Sequence, residues 1–451
     1  MTRASTSSNL GLSLSAKARR TREQPISYLI NTALHNPGLV NLAAGLVDPL
    51  TLPVEPCERI AQRLLCDPRR GRVALQYDTT LGLAELRRLL VKHFEDLEAQ
   101  PATSLGITAD DILVTTGSQQ GLYLIADCLL DPGDIVIAEA PSYFVYTGTL
   151  ESLGAKVMGV PMTETGGMDV DAVEKLLERL QREGRLDRVK MVYTVSYFQN
   201  PTGLSLGLES RRRLLEIVKR FSAKHRILIL EDAAYRELRY DGEALPSIKS
   251  FDPENRYTIL AQTFSKPFAP GVKTGYTAMP RDLLEVVLHQ KGNHDFGSAN
   301  FCQHITLESM KDGSYHRHVE LLCESYRTKR DAMLEALDAH MPGKSAGVHW
   351  THPHGGLYVW VTLPASVDTS RGMGLFEAAV QEGVLYVPGE YCFQPDDAGD
   401  MPRHHLRLSF GQVSIEEIGP GIERLARVVV KALSAMTSAP RPADPVVGGR
   451  A

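Results

Sequence analysis

Between about residues 111 and 280, seven short apolar runs alternate with amphipathic stretches, and few architectures accept that rhythm. The runs are DILVTT (111–116), DIVIAEA (134–140), AKVMGV (155–160), VKMVYTVS (189–196), ILILED (227–232), YTILAQTFS (257–265) and GYTAMP (275–280), and each predicts a strand. The stretches between them predict helices, such as SQQGLYLIADCLL (118–130), with apolar residues near spacings of three and four, and LESRRRLLEIVKRFSAKH (208–225). Strands crossed by helices imply a large α/β domain with a seven-stranded, mainly parallel sheet between helices. In such sheets ligands gather beyond the carboxyl ends of the strands, so the residues just after each run matter most.

After about residue 305 the texture changes to a long charged helix over 313–340, followed by GGLYVWVTLP, LYVP and HHLRLSF as separate strands, which predicts a smaller α+β domain. The expected organisation is an amino-terminal arm (1–50), the large domain (51–305), the small domain (306–437) and a Pro/Gly-rich, disordered tail (438–451). A length of 451 residues is ample for two or three such units. No repeat of fixed period is visible, which sets solenoids and propellers aside. With 49 Lys+Arg against 54 Asp+Glu and no long basic run, neither a nucleic acid nor an anionic membrane is an expected partner. No stretch of 18 apolar residues predicts a membrane span. Cysteines at 57, 66, 128, 302, 323 and 392 form no CxxC pair, and the scattered histidines show no ligand spacing, so a reducing, cytoplasmic location and no metal are expected. The first 22 residues are Ser/Arg-rich and free of acid; they read as a mobile arm or as an organellar transit segment.

The densest chemical signal is AQTFSKPFAPGVKTGY (261–276). There a strand ends in Thr263, Ser265 and Lys266, and Pro270, Gly271 and Lys273 follow. A lysine drawn partly out of water has a lowered pKa and can attack a carbonyl, while hydroxyls and a second cation can hold a phosphate. The same segment also reads as a loop with a solvated lysine. ILILED ends in Asp232, with Tyr235 one turn on. A buried carboxylate there needs a cation, for which a pyridinium nitrogen would serve; otherwise Asp232 caps the next helix. TTGSQQG (115–121) puts Ser118 and Gln119 at a strand-to-helix junction, where free N–H groups favour an anion. Asn200 lies in the turn former QNPTG, Tyr143 in EAPSYF either stacks on a flat ring or packs in the core, and Arg407 in HHLRLSF grips a carboxylate or forms a surface ion pair.

In order, ALQYDTTLGLAELR (74–87), TTGSQQG, EAPSYF, QNPTG, EDAAYREL, TFSKPFAPGVK, PHGGLYVW and LRLSF resemble a fold-type-I pyridoxal-phosphate aminotransferase of class I/II, over roughly residues 25–435. The likeness is to the branch of 2-aminoadipate and kynurenine aminotransferases, which also holds the effector domains of MocR-type regulators. The resemblance implies pyridoxal 5′-phosphate as cofactor and transfer of an amino group from an L-amino acid to a 2-oxo acid such as 2-oxoglutarate. The donor would be of the 2-aminoadipate, aromatic or branched/aliphatic type. A β-lyase, a decarboxylase or a cofactor-sensing regulatory domain is the alternative on the same fold. It implies that Lys266 bonds covalently to the cofactor and moves the substrate Cα proton, that Asp232 pairs with the pyridine nitrogen, and that Tyr235 and Asn200 meet the phenolic oxygen. By the same resemblance Tyr143 stacks on the ring, and Ser118, Gln119, Thr263, Lys273 and more weakly Ser265 cradle the phosphate. Arg407 takes the substrate α-carboxylate, with Asn200, Gly45 and Tyr28 also on the substrate side. Tyr77 reaches the phosphate of a neighbouring subunit, so a homodimer is implied, with the arm at the dimer contact.

Two positions depart from the pattern. The family's usual PGxR reads Pro270-Gly271-Val272-Lys273, which keeps the charge and loses the bidentate fork. The first helix, PISYLINTAL, carries Tyr28 and no cation where aminoadipate enzymes can place an arginine for a distal carboxylate. Tyr28 therefore reads either as a preference for aromatic or aliphatic side chains or as packing at the subunit interface.

Overall fold

The computed structural model of the chain describes residues 12–163, 166–395 and 399–438. All seven expected strands form, as β1 (Ile112–Thr116), β2 (Ile135–Ala140), β3 (Lys156–Pro161), β4 (Val189–Val195), β5 (Leu228–Asp232), β6 (Thr258–Thr263) and β7 (Thr274–Ala278). They make one sheet in the order β1-β7-β6-β5-β4-β2-β3. Every pairing is parallel except those of β7, which runs antiparallel to both β1 and β6. The link from β6 to β7 holds a single short helix, Pro270–Val272, and a parallel return needs a crossover of roughly a dozen residues or more.

Alternation along the strands feeds two cores. Val136 and Ala138 of β2 and Leu228 and Leu230 of β5 join the main core, whereas Ile135, Ile137 and Ile229 face a second cluster under the helices Val170–Arg182 and Leu208–Phe221. Both faces are dry, so the strands read as continuous apolar runs. The second face also carries a buried charge. Glu231 accepts from Arg211 Nη1 (3.2 Å), Ser196 Oγ (2.7 Å) and the backbone N–H groups of Ile248 and Lys249 (3.1 Å each).

The long helix spans Ser314–His340, and it packs against the carboxyl-terminal helix Ile415–Ser438. The late strands β8 (His349–Trp350), β9 (Tyr358–Thr362), β10 (Val387–Pro388) and β11 (His405–Ser409) form an antiparallel sheet in the order β10-β11-β9-β8. LYVP does two jobs: Val387–Pro388 joins that sheet, while Val384–Leu385 pairs with Val40–Asn41 from the arm.

The start of the chain corrects one expectation. Residues 16–20 form a short helix that docks instead of hanging free. Lys17 Nζ meets Asp127 at 2.9 Å, and Arg20 donates to the carbonyls of Ser152 and Leu153 at the end of helix Phe144–Leu153, where a cation is favoured. Residues 1–11 of the expected arm or transit segment and all but the first residue of the expected tail, 438–451, lie outside the described residues. Among the described residues no helix is long and apolar enough to cross a membrane.

Candidate active site

Register brings the strand ends together. Val195 of β4, Asp232 of β5 and Ala261 of β6 are side-by-side partners, so the residues that follow each strand share one edge of the sheet. A cavity of about 330 Å³ opens there. Ser118, Gln119, Tyr143, Asn200, Asp232, Tyr235, Thr263, Ser265, Lys266 and Lys273 all line it.

At one end a helix begins. Thr116 precedes Gly117–Leu129 and makes no side-chain cap, so the first N–H groups of that helix have no side chain to serve them. Gly117 has φ +67°, a left-handed conformation suited to glycine. A Cβ there would sit 3.9 Å from both Ser265 Oγ and Thr263 Oγ1, which are themselves hydrogen-bonded at 2.9 Å. Lys273 reaches the same space from a left-handed backbone (φ +53°), with no ion-pair partner among the described residues. Backbone amides, two hydroxyls and a lone cation form a cradle for a phosphate-sized anion.

In the middle, Asp232 is 3% exposed and meets only the Tyr193 hydroxyl (3.1 Å) and the Ala234 N–H (3.2 Å). Residues 234–237 form a turn, so Asp232 caps no helix. Burial pushes its pKa up to about 6, with the two hydrogen bonds opposing. No cation contacts it among the described residues. Beside it Glu139, at the end of β2, is pushed up to about 7 by burial, and its carboxylate accepts from Thr194 Oγ1 (2.5 Å) and from Gln199 Nε2 (2.9 Å), the neighbour of Asn200.

Lys266 follows β6 and its Nζ donates to the carbonyl of Gly45 at 2.7 Å. Burial drives its pKa down, Tyr358 opposes, and the charge of Arg407 assists. A neutral amine is the form that attacks a carbonyl. Arg407, on β11, is 2% exposed. Its Nη1 donates to Asn200 Oδ1 and its Nη2 to the carbonyl of Ala43, both at 2.8 Å. Its Nε has no partner, and no carboxylate touches it among the described residues. A buried guanidinium in that state is set for an incoming anion.

Of the expected residues, Arg407, Gly45, Tyr77 and Tyr28 do not line the cavity, though Arg407 and Gly45 contact Asn200 and Lys266, which do. Tyr77 is 75% exposed, its ring meeting Phe296 edge-on at 5.4 Å. Tyr28, on helix Pro25–His35, carries the guanidinium of Arg371 3.4 Å above its ring. Arg371 comes to that ring from a segment more than 300 residues away. Tyr193 and Tyr358 were not singled out from the sequence. The signal for Tyr358 was present in PHGGLYVW, since alternation along β9 puts residues 358 and 360 on one face and Trp360 lies directly opposite Arg407.

Known proteins of similar sequence and fold give the family. The family described as aminotransferase class I and II matches residues 37–425. The aromatic-amino-acid aminotransferase 1 of Thermococcus litoralis is 36% identical over 416 residues, 92% of each chain. The solved multiple substrate aminotransferase of Thermococcus profundus superposes with TM-score 0.84 at 36% identity, covering 94% of this chain and 98% of that one. LysN, the α-aminoadipate aminotransferase of Thermus thermophilus, solved with N-(5′-phosphopyridoxyl)-L-leucine, gives TM-score 0.80 at 32% identity over 94% of this chain and 98% of that one. A family match across most of the chain, on a fold that brings lysine and aspartate from the large sheet to an arginine from the small one, means that this protein belongs to the class I and II aminotransferases, enzymes whose fold implies pyridoxal phosphate.

Proposed function

We propose that this aminotransferase holds pyridoxal 5′-phosphate in the 330 Å³ cavity and exchanges amino groups between L-amino acids and 2-oxo acids such as 2-oxoglutarate. One observation carries the assignment: among the described residues two buried charges at one site lack counter-ions, Asp232 a cation and Arg407 a carboxylate, and the exposed Lys273 at the cavity wall has no anion. A protonated pyridine nitrogen, a phosphate and a substrate α-carboxylate are the three complements, and the first two belong to one cofactor. The cradle at Gly117, kept open by the missing Cβ, fits the phosphate.

When bound, the cofactor supplies an electron sink for the bonds at the substrate Cα. The chain's own groups do the rest. Lys266, its pKa lowered by burial, would hold the cofactor covalently and, once displaced by substrate, carry the Cα proton on its Nζ. Asp232 would hold the proton on the pyridine nitrogen, and Tyr193 orients its carboxylate. Tyr235 and Asn200 would donate to the phenolic oxygen, and Glu139 steadies the Asn200 loop through Gln199. Tyr143 offers a flat face to the ring. Arg407 fixes the substrate by its α-carboxylate, and Gly45 lies against Lys266.

The donor range covers aromatic and 2-aminoadipate-type amino acids, supported by the named activities of the relatives. The enzyme acts as a homodimer in which the exposed Tyr77 reaches the partner's phosphate. The large cofactor unit is residues 51–305 and the smaller one 306–437, with the arm serving the smaller unit through Val40–Asn41. Six unpaired cysteines support a cytoplasmic location.

A half-reaction screen tests this reading. Single L-amino acids added to the cofactor-loaded protein convert its visible band to that of pyridoxamine phosphate, with the matching 2-oxo acid released in equal amount. Release of ammonia or carbon dioxide instead would make it a lyase or a decarboxylase.

A further inference from the structure

Tyr358 is a phenol that the catalytic roles above leave unused. It is 2% exposed and lies on β9, and its hydroxyl stands 3.1 Å from that of Tyr235. The guanidinium carbon of Arg407 lies 4.3 Å from its ring centroid. The arm is shaped around the same hydroxyl: a Cβ at Gly45 would come within 2.4 Å of it, so only glycine leaves room. Arg407 is thus on the ring's face, Tyr235 at its hydroxyl, and Gly45, whose carbonyl holds Lys266, at its edge.

A phenol has one proton to give. In the free pair either oxygen can donate. Once Tyr235 gives its proton to an outside acceptor, the contact between the two hydroxyls is kept only if Tyr358 donates. The order becomes Tyr358 O–H to Tyr235 oxygen, then Tyr235 O–H to the acceptor, a chain in which each bond strengthens the next.

We infer that Tyr358 is a positioning residue that acts through Tyr235, making it a stronger donor to the cofactor's phenolic oxygen and linking that oxygen to the carboxylate-binding Arg407. This rests on the pyridoxal phosphate reading given above. Negative charge on the phenolic oxygen is then stabilised by the protein, and the nitrogen of the Lys266–cofactor linkage holds its proton less tightly.

The test is a pH titration of the visible absorbance of the cofactor-loaded protein. Wild type, Tyr358→Phe, Tyr235→Phe and the double variant are compared. Tyr358→Phe keeps the ring and its volume, and the melting temperature of each apoprotein checks that it folds. The midpoint of the absorbance change rises in Tyr358→Phe by about 0.3–1 pH unit, the size expected for loss of one hydrogen bond. It rises further in Tyr235→Phe, and adding Tyr358→Phe to that background changes nothing. An unchanged or lowered midpoint in Tyr358→Phe overturns the inference, as does a further rise in the double variant. A wild type with no pH-dependent band on adding pyridoxal phosphate overturns the cofactor reading itself, so the two failures are told apart.

Discussion

Glu231 and Asp232 are consecutive residues at the end of one strand, both buried, and the fold treats them in opposite ways. Glu231 faces the second core and is enclosed by Arg211, Ser196 and two backbone N–H groups. Asp232 faces the cavity with a phenol and one N–H and, among the described residues, no cation. A one-residue step turns the side chain to the other face of a strand, and with it from a group whose partners are built in to one whose partner must arrive. Matched buried charge holds the sheet together, whereas unmatched buried charge is what a ligand reads.

Substitutions sharpen this contrast, beginning on the cavity side. Lys266→Ala removes the proposed nucleophile and proton carrier together, and turnover falls by on the order of a thousandfold or more in a coupled transamination assay while the fold, followed by circular dichroism, stays intact. On the matched side Glu231→Ala leaves Arg211 buried without its anion. Unfolding in denaturant shows a loss of about 3–5 kcal/mol, equal with and without cofactor. A loss confined to the cofactor-loaded form would break the comparison.

Asp232→Asn goes the other way. Its folded pKa of about 6 lies above the unbound reference of 3.8, so the apoprotein is favoured while the group is protonated and loses that advantage as pH rises through about 6. At pH 8 the asparagine variant of the apoprotein is therefore more stable than wild type, by on the order of 2 kcal/mol, and at pH 4 the two converge. The same change weakens cofactor binding, measured by equilibrium dialysis. Smallest is Lys273. Lys273→Ala lowers cofactor affinity about tenfold, the size of one charge-assisted contact of about 1.4 kcal/mol, whereas Lys273→Arg retains it. Equal retention in all three proteins would remove Lys273 from the cradle.

Much of this site was legible because it is local. Each of the seven strands falls within a residue or two of its apolar run, and Ser118, Asn200, Asp232 and Lys266 lie where their strands give way to turns or a helix. What the sequence does not carry is the partner of each group. That Asp232 lacks a cation while Glu231 has one depends on which face each meets. The reversal of β7 depends on a connection too short to cross the sheet. Tyr358 and Arg371 are brought to Tyr235 and Tyr28 by pairings across large sequence separations. The docked helix at residues 16–20 was missed for the same reason, since Asp127 and the carbonyls of Ser152 and Leu153 lie far along the chain.

Arg407 adds a consequence for biosynthesis. Its two η-nitrogens tie residues 200 and 43, the latter 364 positions away, so the proposed carboxylate pocket forms only once residue 407 has been made. Closing contacts of such span is slow compared with folding a local helix or hairpin. A nascent chain can lay down most of the large sheet, and even expose Lys266, before the guanidinium proposed to hold a substrate exists. Substrate capture would thus mark a chain extended past its late strands.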